Sequence, residues 1–124
     1  MGEILYRISP LDEVEAFKHT GLLHGGELDR NSGFIHLSKA SQVAFVLDNF
    51  LPGREGLYLL SIDASKLGDG LKYERVDGVM EQNAPDNHFP HFYGPAGELR
   101  PLPIEALVQV HKLELLEGKH LLPF

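Results

Sequence analysis

Apolar and polar positions alternate along the first residues of the chain. Over residues 3–9, Ile4, Tyr6 and Ile8 fall on one side and Leu5 and Arg7 on the other, which predicts a strand. The segment Ser9-Pro10-Leu11-Asp12 then carries helix-start chemistry. Ser9 is the expected cap, Pro10 suits the first helical position, and Asp12 stands in the first turn, where the helix dipole favours an anion. Leu11, Val14 and Phe17 give this helix an apolar face, and Gly21 supplies its stop. Residues 22–32 are polar, with Gly25-Gly26 at their softest point, and read as a loop. Residues 33–38 read as a second strand. Val43, Val46, Leu47 and Phe50 recur at i, i+3, i+4 and i+7, which predicts a second helix over residues 39–51, ended by Pro52-Gly53.

The second half of the chain is strand-rich. Residues 56–63 (GLYLLSID) are nearly all apolar and predict a central strand, with Asp63 capping a turn at 64–67. Further strands are expected over 71–76, 79–82 and 89–93, with a turn-rich loop at 83–88. Pro90 cannot donate to a ladder, so it should mark an edge or a bulge. Residues 101–106 suit one helical turn, and the alternation of 108–115 (VQVHKLEL) predicts a strand. The apolar tail Leu121, Leu122, Pro123 and Phe124 is expected to pack back. Two early helices followed by strands predict an α+β fold. Its length of 124 residues suits a single domain over 1–124.

Composition removes several function classes. The chain has no cysteine, which excludes disulfides, thiolate zinc sites, iron–sulfur clusters and cysteine nucleophiles, and fits a cytoplasmic protein. No apolar run is long enough to span a membrane, and no signal-peptide pattern opens the chain. The formal net charge of −7 disfavours generic binding to DNA and fits an RNA substrate poorly. Neither a Gly-rich phosphate loop nor a GxSxG elbow occurs.

Two segments concentrate candidate chemistry. In GFIHLS (33–38), alternation places Phe34, His36 and Ser38 on one face; in FPHFYGP (89–95), it groups Phe89, His91 and Tyr93. Each strand offers an aromatic ring, an imidazole and a hydroxyl, so convergence of the two faces would make a small-ligand cleft. Taken singly, His36 reads as a satisfied buried histidine, Ser38 as a cap for the second helix, and Tyr93 as core with its hydroxyl at the surface. Arg7 reads either as a surface arginine or as a planar fork for phosphate or carboxylate. Glu74 reads as a solvated strand residue paired with Lys72 or Arg75, or as a catalytic carboxylate. The spacing His88-x-x-His91 invites a histidine-dependent metal enzyme, but on a strand the two rings point to opposite faces, and His24, Asp29 and Asp86 could complete a site only through tertiary folding.

LYRIS at the start, GFIHLS, Gln42-Val43, LLSID at 59–63 and FPHFYGP together resemble a small bacterial family, domain-of-unknown-function family 952, over most of the chain. The resemblance implies an ADP-ribosyltransferase-like fold, a split β-sheet core with two N-terminal helices here, which binds NAD in many relatives. GFIHLS is also similar to the HLS-containing strand of the RNA 2′-phosphotransferases, which use NAD on that fold. By that similarity Arg7 would hold the dinucleotide, His36 and Ser38 would contact nicotinamide or its ribose, His91 would orient the ligand and Tyr93 would stack nearby. Attack on the N-glycosidic bond would need a carboxylate, for which Glu74 and Glu98 are the candidates. The chain departs from the pattern in lacking a late-strand glutamate in the usual ribosyltransferase context, and Arg100 is its only late arginine. A non-enzymatic binding module with a degenerate cleft is the alternative that this departure favours.

Overall fold

The computed structural model describes residues 2–76 and 87–124. The chain runs β1 (Ile4–Pro10), α1 (Leu11–Thr20), β2 (Leu22–Leu23), α2 (Glu27–Ser32), β3 (Ile35–His36), α3 (Ala40–Phe50), β4 (Leu57–Asp63), β5 (Leu71–Arg75), β6 (His88–Phe92), β7 (Leu102–Pro103), β8 (Leu107–Lys112), β9 (Leu115–Leu116) and β10 (Lys119–His120). Short 3₁₀ turns follow β4 and β7. The fold is mixed α+β, with antiparallel sheets throughout. Three α-helices precede β4 rather than the two expected, because residues 27–32 of the expected loop are helical.

The main sheet has the order β1-β4-β8, with β4 in the middle, as its apolar sequence predicts. Both faces of this sheet are covered. The register pairs Leu5 with Ile62, Arg7 with Leu60 and Ser9 with Tyr58. Leu5, Leu60 and Ile62 pack with Val14 and Phe17 of α1 and with Ile35, Phe92 and Leu102. On the opposite face, Leu57, Leu59 and Leu113 meet Val43 and Leu47 of α3, with Tyr6, Ile8 and Leu122 at the margin. Each fully buried leucine or phenylalanine here contributes about 1.5–3 kcal/mol relative to exposure. The tail packs back in part: the Phe124 ring lies 5.1 Å from that of Tyr6, whereas Leu121 stays exposed.

A second three-stranded sheet, β3-β6-β5, carries both histidine motifs. Here Pro90 corrects the expectation, since β6 is the central strand. In an antiparallel strand a residue's N–H and C=O face the same neighbour. The Pro90 carbonyl accepts from Leu37 N at 3.1 Å, so the missing donor faces the two-residue β3 and the β5 ladder is untouched. The two sheets are joined by an isolated bridge in which Tyr6 and Ser38 exchange both backbone hydrogen bonds at 2.8 Å.

The expected caps also differ. Ser9 stays in β1, paired with Tyr58, so Pro10 is the N-cap of α1 and the helix begins at Leu11. Ser38 is held by its bridge to β1, and Lys39 caps α3, its N–H donating to Gln42 Oε1 at 2.9 Å. Gly21 closes α1 in the left-handed conformation, and Asp63 accepts from Ser65 N, both as the sequence predicts. The expected strand at 79–82, Asp86 and most of the loop at 83–88 lie outside the described residues.

Candidate functional site

Strand pairing brings the two sequence motifs together. His36 and His91 stand directly opposite each other in the β3–β6 register. Their ring centroids are 5.6 Å apart, in an edge-on arrangement. Phe34 lies against both, 3.9 Å from the His91 ring in a stacked geometry and 4.5 Å from His36, and Tyr93 joins at 5.2 Å from Phe34. The convergence of the two faces follows from period-2 alternation on adjacent strands.

Each histidine is held by a carboxylate through Nδ1. His36 Nδ1 lies 2.9 Å from Asp29 Oδ1, and His91 Nδ1 lies 2.8 Å from Glu74 Oε1. With both carboxylates ionised, Nδ1 carries the proton and Nε2 the lone pair. No hydrogen bond to either Nε2 occurs among the described residues.

Asp29 organises the first half of the site. It accepts from Arg7 Nη1 and Nη2, both at 2.8 Å, from His36 N at 2.9 Å, from Gly26 N at 2.8 Å and from His36 Nδ1. Burial works against the charge on Asp29, but the hydrogen bonds from His36 and Arg7 and the arginine charge outweigh it, so the carboxyl sits well below its usual range. Burial likewise opposes charge on Arg7, and Asp29 and Glu13 overcome it and raise its pKa. Glu13 Oε1 accepts from Arg7 Nη2 at 2.7 Å. The loop backbone is shaped for this: Gly25 has φ +82°, and a Cβ there would stand 2.7 Å from Asp29 Cβ.

Glu74 organises the second half, accepting from the Tyr93 hydroxyl at 2.6 Å as well as from His91. Those two hydrogen bonds lower the Glu74 pKa. Burial, together with this acceptor, pushes the Tyr93 phenol up to about 12. Burial lowers the pKa of His91 despite Glu74, so its neutral form is favoured.

The histidine pair opens on a cavity of about 1050 Å³, whose walls include Arg7, Glu13, Asp29, Phe34, His36 and His91. Ser38 also lines it. The sequence-derived candidates thus divide. His36, Ser38 and His91 line the cavity, whereas Tyr93 and Glu74 do not and are joined to His91 through Glu74. Arg7 is buried, not on the surface, and its two terminal nitrogens are taken by carboxylates. Glu74 hydrogen-bonds His91 and Tyr93, while its side chain stays 40% exposed and the Lys72 charge also acts on it, as expected for a strand residue near Lys72. Glu98 sits in its own turn, accepting from Ala96 N at 2.8 Å. His88 is exposed while His91 is buried, as strand geometry requires. Among the described residues no group of three or more metal-binding side chains converges, and no helix is long and apolar enough to cross a membrane.

Sequence reasoning missed the roles of Asp29 and Glu13. Glu13 was visible only as an acid in a first helical turn. The signal for Asp29 was weak: a Gly-Gly step three residues before an acid can start a short helix capped by that acid.

Two solved structures are similar over nearly the whole length. The crystal structure of protein CC0527 from Caulobacter crescentus superposes with a TM-score of 0.78 at 30% identity, covering 95% of this chain and 93% of that one. The solution NMR structure of CC0527 gives a TM-score of 0.74 at 30% identity, covering 94% and 90%. No curated protein matches the chain. The family model described as "Protein of unknown function (DUF952)" matches residues 8–110, and the chain belongs to that family.

Proposed function

We propose that the protein binds a small nucleotide-like ligand, with NAD as the first candidate, in the cavity beside His36 and His91. The observation that carries this reading is the cross-strand histidine pair, fixed through Nδ1 by carboxylates and flanked by Phe34 at the cavity wall. The nicotinamide ring of NAD is a flat cation, favoured over an aromatic face and beside carboxylates. Phe34 lines the cavity with its ring, and Glu13 and Asp29 stand in the same wall, paired with Arg7. A diphosphate needs cations, and Arg30, Arg54 and His24 line the same cavity. The similarity of GFIHLS to the NAD-using RNA 2′-phosphotransferases supports the same ligand class. Arg7 serves this site by holding Asp29 rather than by meeting phosphate. Carboxylate-assisted ribosyl transfer has less support than binding, because Glu74 does not line the cavity and Glu98 sits in a separate turn.

The test is an amide NMR titration with NAD, ADP-ribose and nicotinamide as separate arms. Shifts clustered at Arg7, residues 33–38 and residues 89–94, lost in His36→Ala, are the expected result. Absence of shifts at millimolar NAD would remove NAD as the ligand.

A further inference from the structure

We propose that His36 and His91 form the acid–base pair of a hydrolytic site for a small uncharged ester. The inference rests on the cavity being a ligand site, but not on the ligand being NAD. Three observations carry it. Both imidazoles have Nδ1 committed to a carboxylate, which leaves Nε2 as the working nitrogen of each. Their rings meet edge-on on one face of the sheet, with centroids 5.6 Å apart. At that spacing both can reach oxygens attached to one acyl carbon, each over a hydrogen bond of about 3 Å. Next to the two rings, Arg7 and Lys72 stand against Asp29, Glu13 and Glu74, so no net positive charge is set at the reacting carbon and an uncharged ester suits it better than an anionic one; Arg30 and Arg54 line the same cavity.

Burial assigns the two roles. The His91 side chain is 7% exposed and that of His36 31%, so carrying a positive charge is harder for His91. His91 is therefore the base and His36 the acid. Water attacks the acyl carbon and gives a proton to His91 Nε2. His36 enters the step as the imidazolium, with Nδ1–H on Asp29 and a second proton on Nε2; the bond to the leaving oxygen breaks with its electron pair, and that oxygen takes the His36 Nε2 proton, leaving His36 neutral and His91 protonated. One water is consumed, a carboxylic acid and an alcohol are released, and proton exchange with solvent resets the pair. Asp29 and Glu74 are positioning residues that fix ring orientation and tautomer.

Two esters separate the roles. Phenyl acetate releases an oxygen as basic as a tyrosine side chain and needs the acid; p-nitrophenyl acetate releases a stable anion and does not. Hydrolysis of phenyl acetate should fall about 100-fold or more in both His36→Gln and His91→Gln. Hydrolysis of p-nitrophenyl acetate should fall as far in His91→Gln but less than about tenfold in His36→Gln. Wild-type rates no higher than buffer, or variants equal to wild type, would overturn the proposal. Nitrogen-15 shifts of the wild-type imidazoles give a check independent of variant folding: both rings should keep the Nδ1 proton, and a neutral ring protonated on Nε2 alone in either overturns it. Ester turnover without NAD binding would remove NAD alone, whereas NAD binding without ester turnover would remove the acid–base pair alone.

Discussion

Arg7 and Asp29, separated by 22 positions in sequence, are joined by two parallel hydrogen bonds of 2.8 Å in the interior. Such a fork-to-carboxylate pair offsets a desolvation penalty of several kcal/mol per ion only while both partners stay. Asp29→Asn should therefore lower stability by about 3–5 kcal/mol. The urea midpoint measures it, with an unchanged slope confirming that the native state is otherwise intact. A loss under about 1 kcal/mol would mean that the pair behaves as a surface ion pair.

Ser9 gives the opposite expectation. Its hydroxyl is fully buried, with no hydrogen-bond partner among the described residues. An unsatisfied buried polar group costs about 1–3 kcal/mol, so Ser9→Ala should leave stability unchanged or raise it by about 1 kcal/mol. Thermal melts of the two proteins compare them directly, and a clear drop in Tm would show that the hydroxyl has a partner.

Acid should destabilise the protein in two stages of the same sign. His91 is lowered by burial, so below about pH 6.5 the unfolded chain takes up a proton there that the folded chain resists. Asp29 and Glu74 are lowered by their hydrogen-bond partners, so below about pH 4–5 the unfolded carboxylates protonate first. In both ranges the unfolded state binds more protons, and stability falls with pH. Urea midpoints between pH 8 and pH 4 should decline from about pH 6.5 downward; a maximum near pH 5 would contradict the assignment.

Gly70 sits where the chain enters β5, and its carbonyl accepts from Tyr93 N at 2.8 Å. A Cβ at this position would run into the Tyr93 carbonyl oxygen and stand 2.9 Å from Phe92 Cε1. Backbone cannot swing aside as a side chain can, so Gly70→Ala should cost about 1–3 kcal/mol. Chemical denaturation gives the size, and amide shifts at residues 91–94 should locate the strain.

Much of the frame was legible because its signals are local. β1, α1, α3 and β4 follow from alternation, helical spacing and an unbroken apolar run within a few residues of one another. The pairing of His36 with His91 was legible as two matching motifs. What could not be read depends on distant partners. The six-residue α2 has no apolar period, and its one buried side chain is Asp29, stabilised by Arg7 and His36 rather than by hydrophobic burial. Ser9 and Ser38 look like caps locally, yet β-pairing to Tyr58 and Tyr6 decides their conformation. Pro90 looks like an edge residue until its short neighbour β3 is known.

That short neighbour has a mechanical meaning. Since Pro90 has no N–H, the β3–β6 ladder stops after His36, and the next two residues are taken up by a bond from Leu37 to the Pro90 carbonyl and by the Tyr6–Ser38 bridge. His36 is thus clamped at the junction of two sheets, with Asp29 holding its backbone N–H as well as its ring. If the proposed ligand binds at this wall, it meets a residue already fixed by bonds to two sheets and to Asp29, so ordering this segment would add little entropic cost.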